Sequence, residues 1–173
     1  MLERPLRIKN HWSFAVRRTV FRYFETRDRL IKVVMCDWLR SYGQQLPRPA
    51  EGQDVETYLA ELLLATHRLN ARNGRIYWEL AALGPELSDD LAAAAAERLK
   101  GRQQFVQGAS TTVWKMAGGK GRPPGWLVDG FAVHLSAFTT QALTGDFGRS
   151  PEQVAEVTAR LLSASLREAL AGS

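Results

Sequence analysis

Arg17, Arg18 and Arg22 lie within six residues of one another, with Thr19 and Tyr23 beside them. Wound as a helix, this stretch offers cations, a hydroxyl and a phenol to one partner, and Val20 and Phe24, four apart, give it an apolar seam. Thr26 is placed to cap a second helix by accepting a backbone N–H, and Asp28 falls in that helix's first turn, where the dipole favours an anion. Elsewhere the reactive side chains are sparse. His11, His67 and His134 with the single Cys36 make no zinc spacing, and no Ser-His-Asp or paired-carboxylate arrangement is present. An enzyme is therefore not expected, and neither is a metal site or a cofactor. Cys36 has no resolving partner and reads as a packing residue. Gly118 to Gly125 (GGKGRPPG) is a loop between helices and not a phosphate loop, which needs four residues between Gly and Gly-Lys and a strand ahead of it.

Charge is unevenly distributed. Residues 1–48 carry eleven Lys/Arg against four Asp/Glu, net +7, while the remainder has twelve against fourteen, net −2. A basic end on a near-neutral body fits a nucleic-acid-binding unit joined to another function. The 173 residues suffice for a sizeable core, and 45% apolar with 24% charged is ordinary for a globular protein. A lone cysteine fits a reducing cytosol, so a cytoplasmic location is expected. Residues 1–15 lack the apolar run of a secretory signal, and the chain reads as unprocessed.

Thr19-Val20-Phe21-Arg22-Tyr23-Phe24-Glu25-Thr26-Arg27-Asp28-Arg29-Leu30 resembles the end of the helix-turn-helix in the TetR family of bacterial transcriptional regulators. The resemblance implies a recognition helix at about residues 16–24. It makes Arg17 and Arg18 candidates for base or phosphate contact, beside Arg22. It places Thr19, Tyr23 and Arg27 at positions facing the DNA backbone. Phe21 stands where the family commonly has a phosphate-binding tyrosine. The family has two further helices ahead of this point, and residues 1–14 hold neither its glycine-containing turn nor its alanine-rich helix. The expectation is a truncated helix-turn-helix remnant.

The remaining chain is expected to be all-α, since no segment alternates with period two. Leu30, Val34, Trp38 and Tyr42 recur every four residues from Thr26, and Gly43 stops that helix. Asp54 caps a helix to about Asn73, ended by Gly74, and a short helix follows over Arg75–Leu83, closed by Gly84-Pro85. Ser88 or Asp89 starts a long helix toward Met116, bent or broken near Gly101 and Gly108. Trp126 to Leu143 is expected as one helix buried on several faces. Asp129, His134, Thr139, Thr140 and Gln141 make it unsuited to a membrane, and no membrane partner is expected. Ser150-Pro151-Glu152-Gln153 is a capping box. The helix it opens carries two apolar stripes, Val154–Val157–Leu161–Ala164 and Ala155–Thr158–Leu162–Leu166.

Residues 1–42 are thus expected to be a partial helix-turn-helix region with a connecting helix, and residues 43–173 a helical ligand-binding and dimerisation domain. By resemblance, the function is a ligand-responsive regulator, a repressor, binding operator DNA as a homodimer through Trp126–Leu143 and Ser150–Leu170. The alternative is a ligand-sensing and dimerisation module without DNA binding. The body is rich in large aromatics, which either fill a solid core or line a pocket for a small hydrophobic ligand. The pocket candidates are Trp78, Phe105, Trp114 and Phe138, with His67, His134 and Gln141 as its polar groups.

Overall fold

The computed structural model describes residues 23–82 and 88–172, the side chains of 74–82 excepted. Arg17, Arg18, Thr19, Phe21, Arg22, the side chain of Trp78 and the Gly84-Pro85 break lie outside these residues. Six α-helices are present among the described residues, and no strand. They are α1 (Arg27–Gln44), α2 (Val55–Ala82), α3 (Asp89–Met116), α4 (Gly125–His134), α5 (Ala137–Gln141) and α6 (Pro151–Ala171), with a π-helical turn over Ala142–Asp146 between the last two.

Side-chain caps set the starts. Thr26 Oγ1 accepts the Arg29 N–H at 3.0 Å, and Asp54 Oδ1 accepts that of Thr57 at 2.9 Å. Ser88 caps α3, and Ser150 and Gln153 exchange both bonds of the capping box at 3.3 and 3.0 Å. Each satisfies N–H groups that a helix start leaves without a partner.

Three of the expected breaks fall elsewhere. The second helix runs through Gly74 to Ala82, so the two helices expected over 54–83 are one. Gly101 and Gly108 lie inside an uninterrupted α3, and α1 passes Gly43 to end at Gln44. A glycine weakens a helix interior by only about 1 kcal/mol relative to alanine, which continued hydrogen bonding and packing outweigh. Conversely, the single helix expected over Trp126–Leu143 is divided at Leu135–Ser136. There the hydroxyls take over backbone bonding. Ser136 Oγ accepts the Phe138 N–H at 3.0 Å, and Thr139 Oγ1 donates to the Val133 carbonyl at 2.6 Å. Such local bonds offer the backbone an alternative to the helical ladder. Leu127, Phe131, Leu135 and Thr140 of the segment are buried, while Trp126, Val133 and Phe138 are exposed.

Two apolar cores hold the helices. The main one joins α2, α3, α4 and α6 through Leu59, Leu62, Leu63, Val113, Trp114, Leu127, Phe131 and Leu162, each under 2% exposed. Full burial of such side chains contributes about 1.5–3 kcal/mol each. A small separate cluster, Met35 with Leu91 and Ala94, joins α1 to the start of α3, with Ile31 against it. Beside it Asp90 Oδ1 accepts from Lys32 Nζ at 2.9 Å and from Arg29 at 3.3 Å. The hydrogen bond from Lys32 leads the effects that lower the Asp90 pKa. The first helix is therefore tied at its N-terminal half by a few contacts of its own.

Candidate ligand cavity

The C-terminal half of α1 presents Leu39, Tyr42 and Gly43, which the helical repeat places on one face, and Leu46 follows from the bend just past the helix end. Opposite, α3 presents Arg98, Gly101, Arg102 and Phe105 by the same spacing. Between them lies a cavity of about 160 Å³ that opens to solvent, completed by Asn70 from α2 and by Leu135, Ala137 and Phe138 at the α4–α5 break. Asn70 and Leu135 are buried and form its deep end, whereas Phe138 is 44% exposed and stands at the mouth. Tyr42 packs against Trp38 with centroids 5.0 Å apart and ring planes tilted by 52°, and meets Phe105 edge-on at 6.3 Å. The walls are thus aromatic and aliphatic, with two guanidinium groups and one buried amide. Arg102 donates to the Ala132 carbonyl at 2.6 Å, which fixes its course along the wall.

A chain of buried polar groups leads inward from the cavity. Tyr42 donates to Asn70 Oδ1 at 3.3 Å, and Asn70 Nδ2 donates to Thr140 Oγ1 at 3.3 Å. His67 Nδ1 lies 2.8 Å from the same threonine oxygen, and its Nε2 lies 3.1 Å from Thr158 Oγ1 on α6. Burial pushes the Tyr42 phenol up to about 12, against the opposing pull of the Thr66 hydroxyl and the Arg102 charge. Burial, and next the nearby His134, bring His67 down to about 4. Both groups are therefore neutral near pH 7, as a dry network of hydrogen bonds requires.

Of the residues picked from sequence for a pocket, Phe105 and Phe138 line this cavity. The others are placed differently. Trp114 is 1% exposed, donates its indole N–H to the Lys120 carbonyl at 3.2 Å and covers Gly119, so it belongs to the core. His67 is a buried histidine bonded on both ring nitrogens, one step behind the wall. His134, half-buried on α4, has its Nδ1 enclosed with no hydrogen-bond partner, and burial lowers its pKa. Gln141 is exposed at the entry to the π-helical turn. Sequence reasoning missed Arg98, Arg102, Tyr42 and Asn70. The Arg98–Arg102–Phe105 spacing was a visible signal, but the helix face it would turn inward was not.

At the N-terminal side, Tyr23 is 69% exposed and Arg27 is exposed, both accessible to a partner. Among the described residues no group of His, Cys, Asp and Glu could hold a metal ion, and no helix is long and apolar enough to cross a membrane. Comparison with protein-family models, with curated proteins and with solved structures found no match for the chain.

Proposed function

We propose that this protein is a TetR-like, ligand-responsive transcriptional regulator, without enzymatic activity, that binds operator DNA as a homodimer in the cytoplasm. One observation carries the reading. The helix α1, which follows in sequence on the basic stretch ending at Tyr23, also supplies Leu39, Tyr42 and Gly43 to the cavity wall. A ligand that fills the cavity touches the same helix that the basic stretch precedes in sequence. Two recognition helices must sit roughly 34–36 Å apart to read successive turns of DNA. A ligand that favours another α1 position lowers DNA affinity by linkage. The proposed role as a repressor rests on the resemblance at residues 19–30.

A dimer is supported by the apolar surface that the fold leaves uncovered. Gly130 of α4 packs on Leu162 of α6, and Trp126, Val133, Val157 and Leu161 on these two helices are all about half exposed. A ligand-sensing dimer that does not bind DNA is the second reading, since the cavity and this surface both lie within residues 27–172.

Anisotropy titration against duplex DNA separates the two. Three or four phosphate contacts give a log–log salt slope of roughly −3 to −4 per DNA-binding unit. Arg17→Ala with Arg18→Ala is expected to abolish binding and leave helicity and the dimer intact. Affinity that survives the double substitution, or a wild-type chain that never binds duplex, rejects the regulator reading.

A further inference from the structure

We propose that the cavity takes a small amphipathic monocarboxylate, whose apolar group lies between Tyr42, Phe105 and Leu135 and whose carboxylate is held by Arg98 and Arg102. The inference names the ligand class and rests on the ligand-binding half of the regulator reading, not on its DNA half.

Size bounds the apolar group. A cavity of about 160 Å³ is close to the ~150 Å³ that accommodates one benzene ring in an engineered apolar site. A single ring or a short alkyl chain fits, and a fused polycycle does not. The chemistry of the wall selects the head group. Arg98 and Arg102 stand four residues apart on one face of α3, and both border the cavity. None of the described lining residues is acidic. Planar guanidinium groups match a carboxylate with paired hydrogen bonds. Arg102 already directs one N–H to the Ala132 carbonyl. The pair therefore suits a monoanion better than a phosphate dianion.

Two helix-interior glycines preserve the space. Gly43 on α1 and Gly101 on α3 both border the cavity, and neither has a positive φ. A Cβ added at either meets no atom within 4 Å. Neither backbone conformation nor close packing therefore calls for glycine at these positions. What the missing side chains leave is the room that a ligand occupies.

Calorimetric titration of the full chain, without DNA, tests this with 3-phenylpropionate, 3-phenylpropan-1-ol and phenyl phosphate. The acid is expected to bind at least about tenfold more tightly than the alcohol, the usual scale of a charge-assisted hydrogen bond. It is also expected to bind more tightly than phenyl phosphate. Arg98→Gln should bring the acid down to the level of the alcohol. Arg98→Lys, which keeps the charge, should retain most of the difference. Gly101→Leu fills the cavity while favouring the helix, so it should abolish binding of acid and alcohol without lowering the melting temperature. Equal affinity for acid and alcohol, tighter binding of phenyl phosphate, no binding at all, or unchanged binding by Gly101→Leu overturns the proposal. A chain that binds the acid but no duplex DNA rejects the regulator reading and leaves this one standing. A chain that binds duplex but not the acid rejects this one alone.

Discussion

His67 shows how burial turns an ionisable group into a structural one. It is fully buried, bonded to Thr140 and Thr158, and its pKa in the fold is about 4. An unfolded histidine titrates near pH ~6.5. The unfolded chain therefore binds more protons between these values, and stability must rise with pH across that window. The contribution is complete above about pH 6.5 and is lost as pH falls through the folded value near 4. The shift corresponds to at most about 3 kcal/mol. His134, also lowered by burial, adds in the same sense. Urea denaturation from pH 7 to pH 4 should show this loss, and His67→Gln should flatten it. A wild-type profile without slope in that range would contradict the burial account. Gly119 makes a second point at this scale. A Cβ there would overlap the indole of Trp114, itself held by the Lys120 carbonyl. Gly119→Ala is expected to destabilise by about 1–3 kcal/mol, as overpacking does. Chemical denaturation followed by tryptophan emission measures it, and a neutral result would mean that the loop absorbs the clash.

At the scale of elements, the behaviour of α1 decides most. It is held to the start of α3 by Met35, Leu91 and Ala94 and by Asp90 with Lys32 and Arg29, while its other half walls the cavity. Tyr42 further ties it through Asn70 and Thr140 to His67, and so to Thr158 on α6. Removing the Thr26 cap should loosen its beginning by about 1 kcal/mol. Thr26→Ala is thus expected to raise amide exchange in residues 27–31 while leaving α6 protected, a contrast that hydrogen-exchange mass spectrometry reads directly. Equal loss of protection in both helices would show α1 to be part of one cooperative unit. Element starts were legible because their signals are local. Thr26, Asp54, Ser88 and Ser150 each bond an N–H within the next turn. Ends marked by a single glycine were not, because glycine is a weak stop, whereas α3 ends at Met116 as read. Gly43, Gly74 and Gly101 all sit inside helices, and the break that does occur, at Leu135–Ser136, is made by hydroxyls whose backbone partners the sequence does not display.

For the whole molecule, the prediction concerns association. The last helix was read as carrying two apolar stripes. Ala155, Thr158, Leu162 and Leu166 are buried, as is Val154, whereas Val157, Leu161 and Ala164 face outward. With Trp126 and Val133 they leave large apolar side chains on the surface of adjoining helices. Exposed apolar patches of this kind mark interaction surfaces. Sedimentation at micromolar concentration should give a dimer, and Val157→Glu with Leu161→Glu should give monomers with unchanged helicity. A wild-type monomer, or a double variant that still dimerises, excludes this face.

The sequence by itself determined the all-helical class, the capped starts at Thr26, Asp54, Ser88 and Ser150, the basic N-terminal end and the amphipathic last helix. These follow from hydrogen bonds and periodicities that span one or two turns of chain. Only the tertiary structure decided where the open space lies. The cavity needs Tyr42, Asn70, Arg102 and Phe138 to converge from four separate segments, and their convergence depends on which helix faces meet. For the same reason Trp114 and His67, chosen as pocket residues by their chemistry, became core, while Arg98 and Arg102 reached the cavity wall. A side chain's type is written in the chain, but its surroundings are set by helices far from it in sequence.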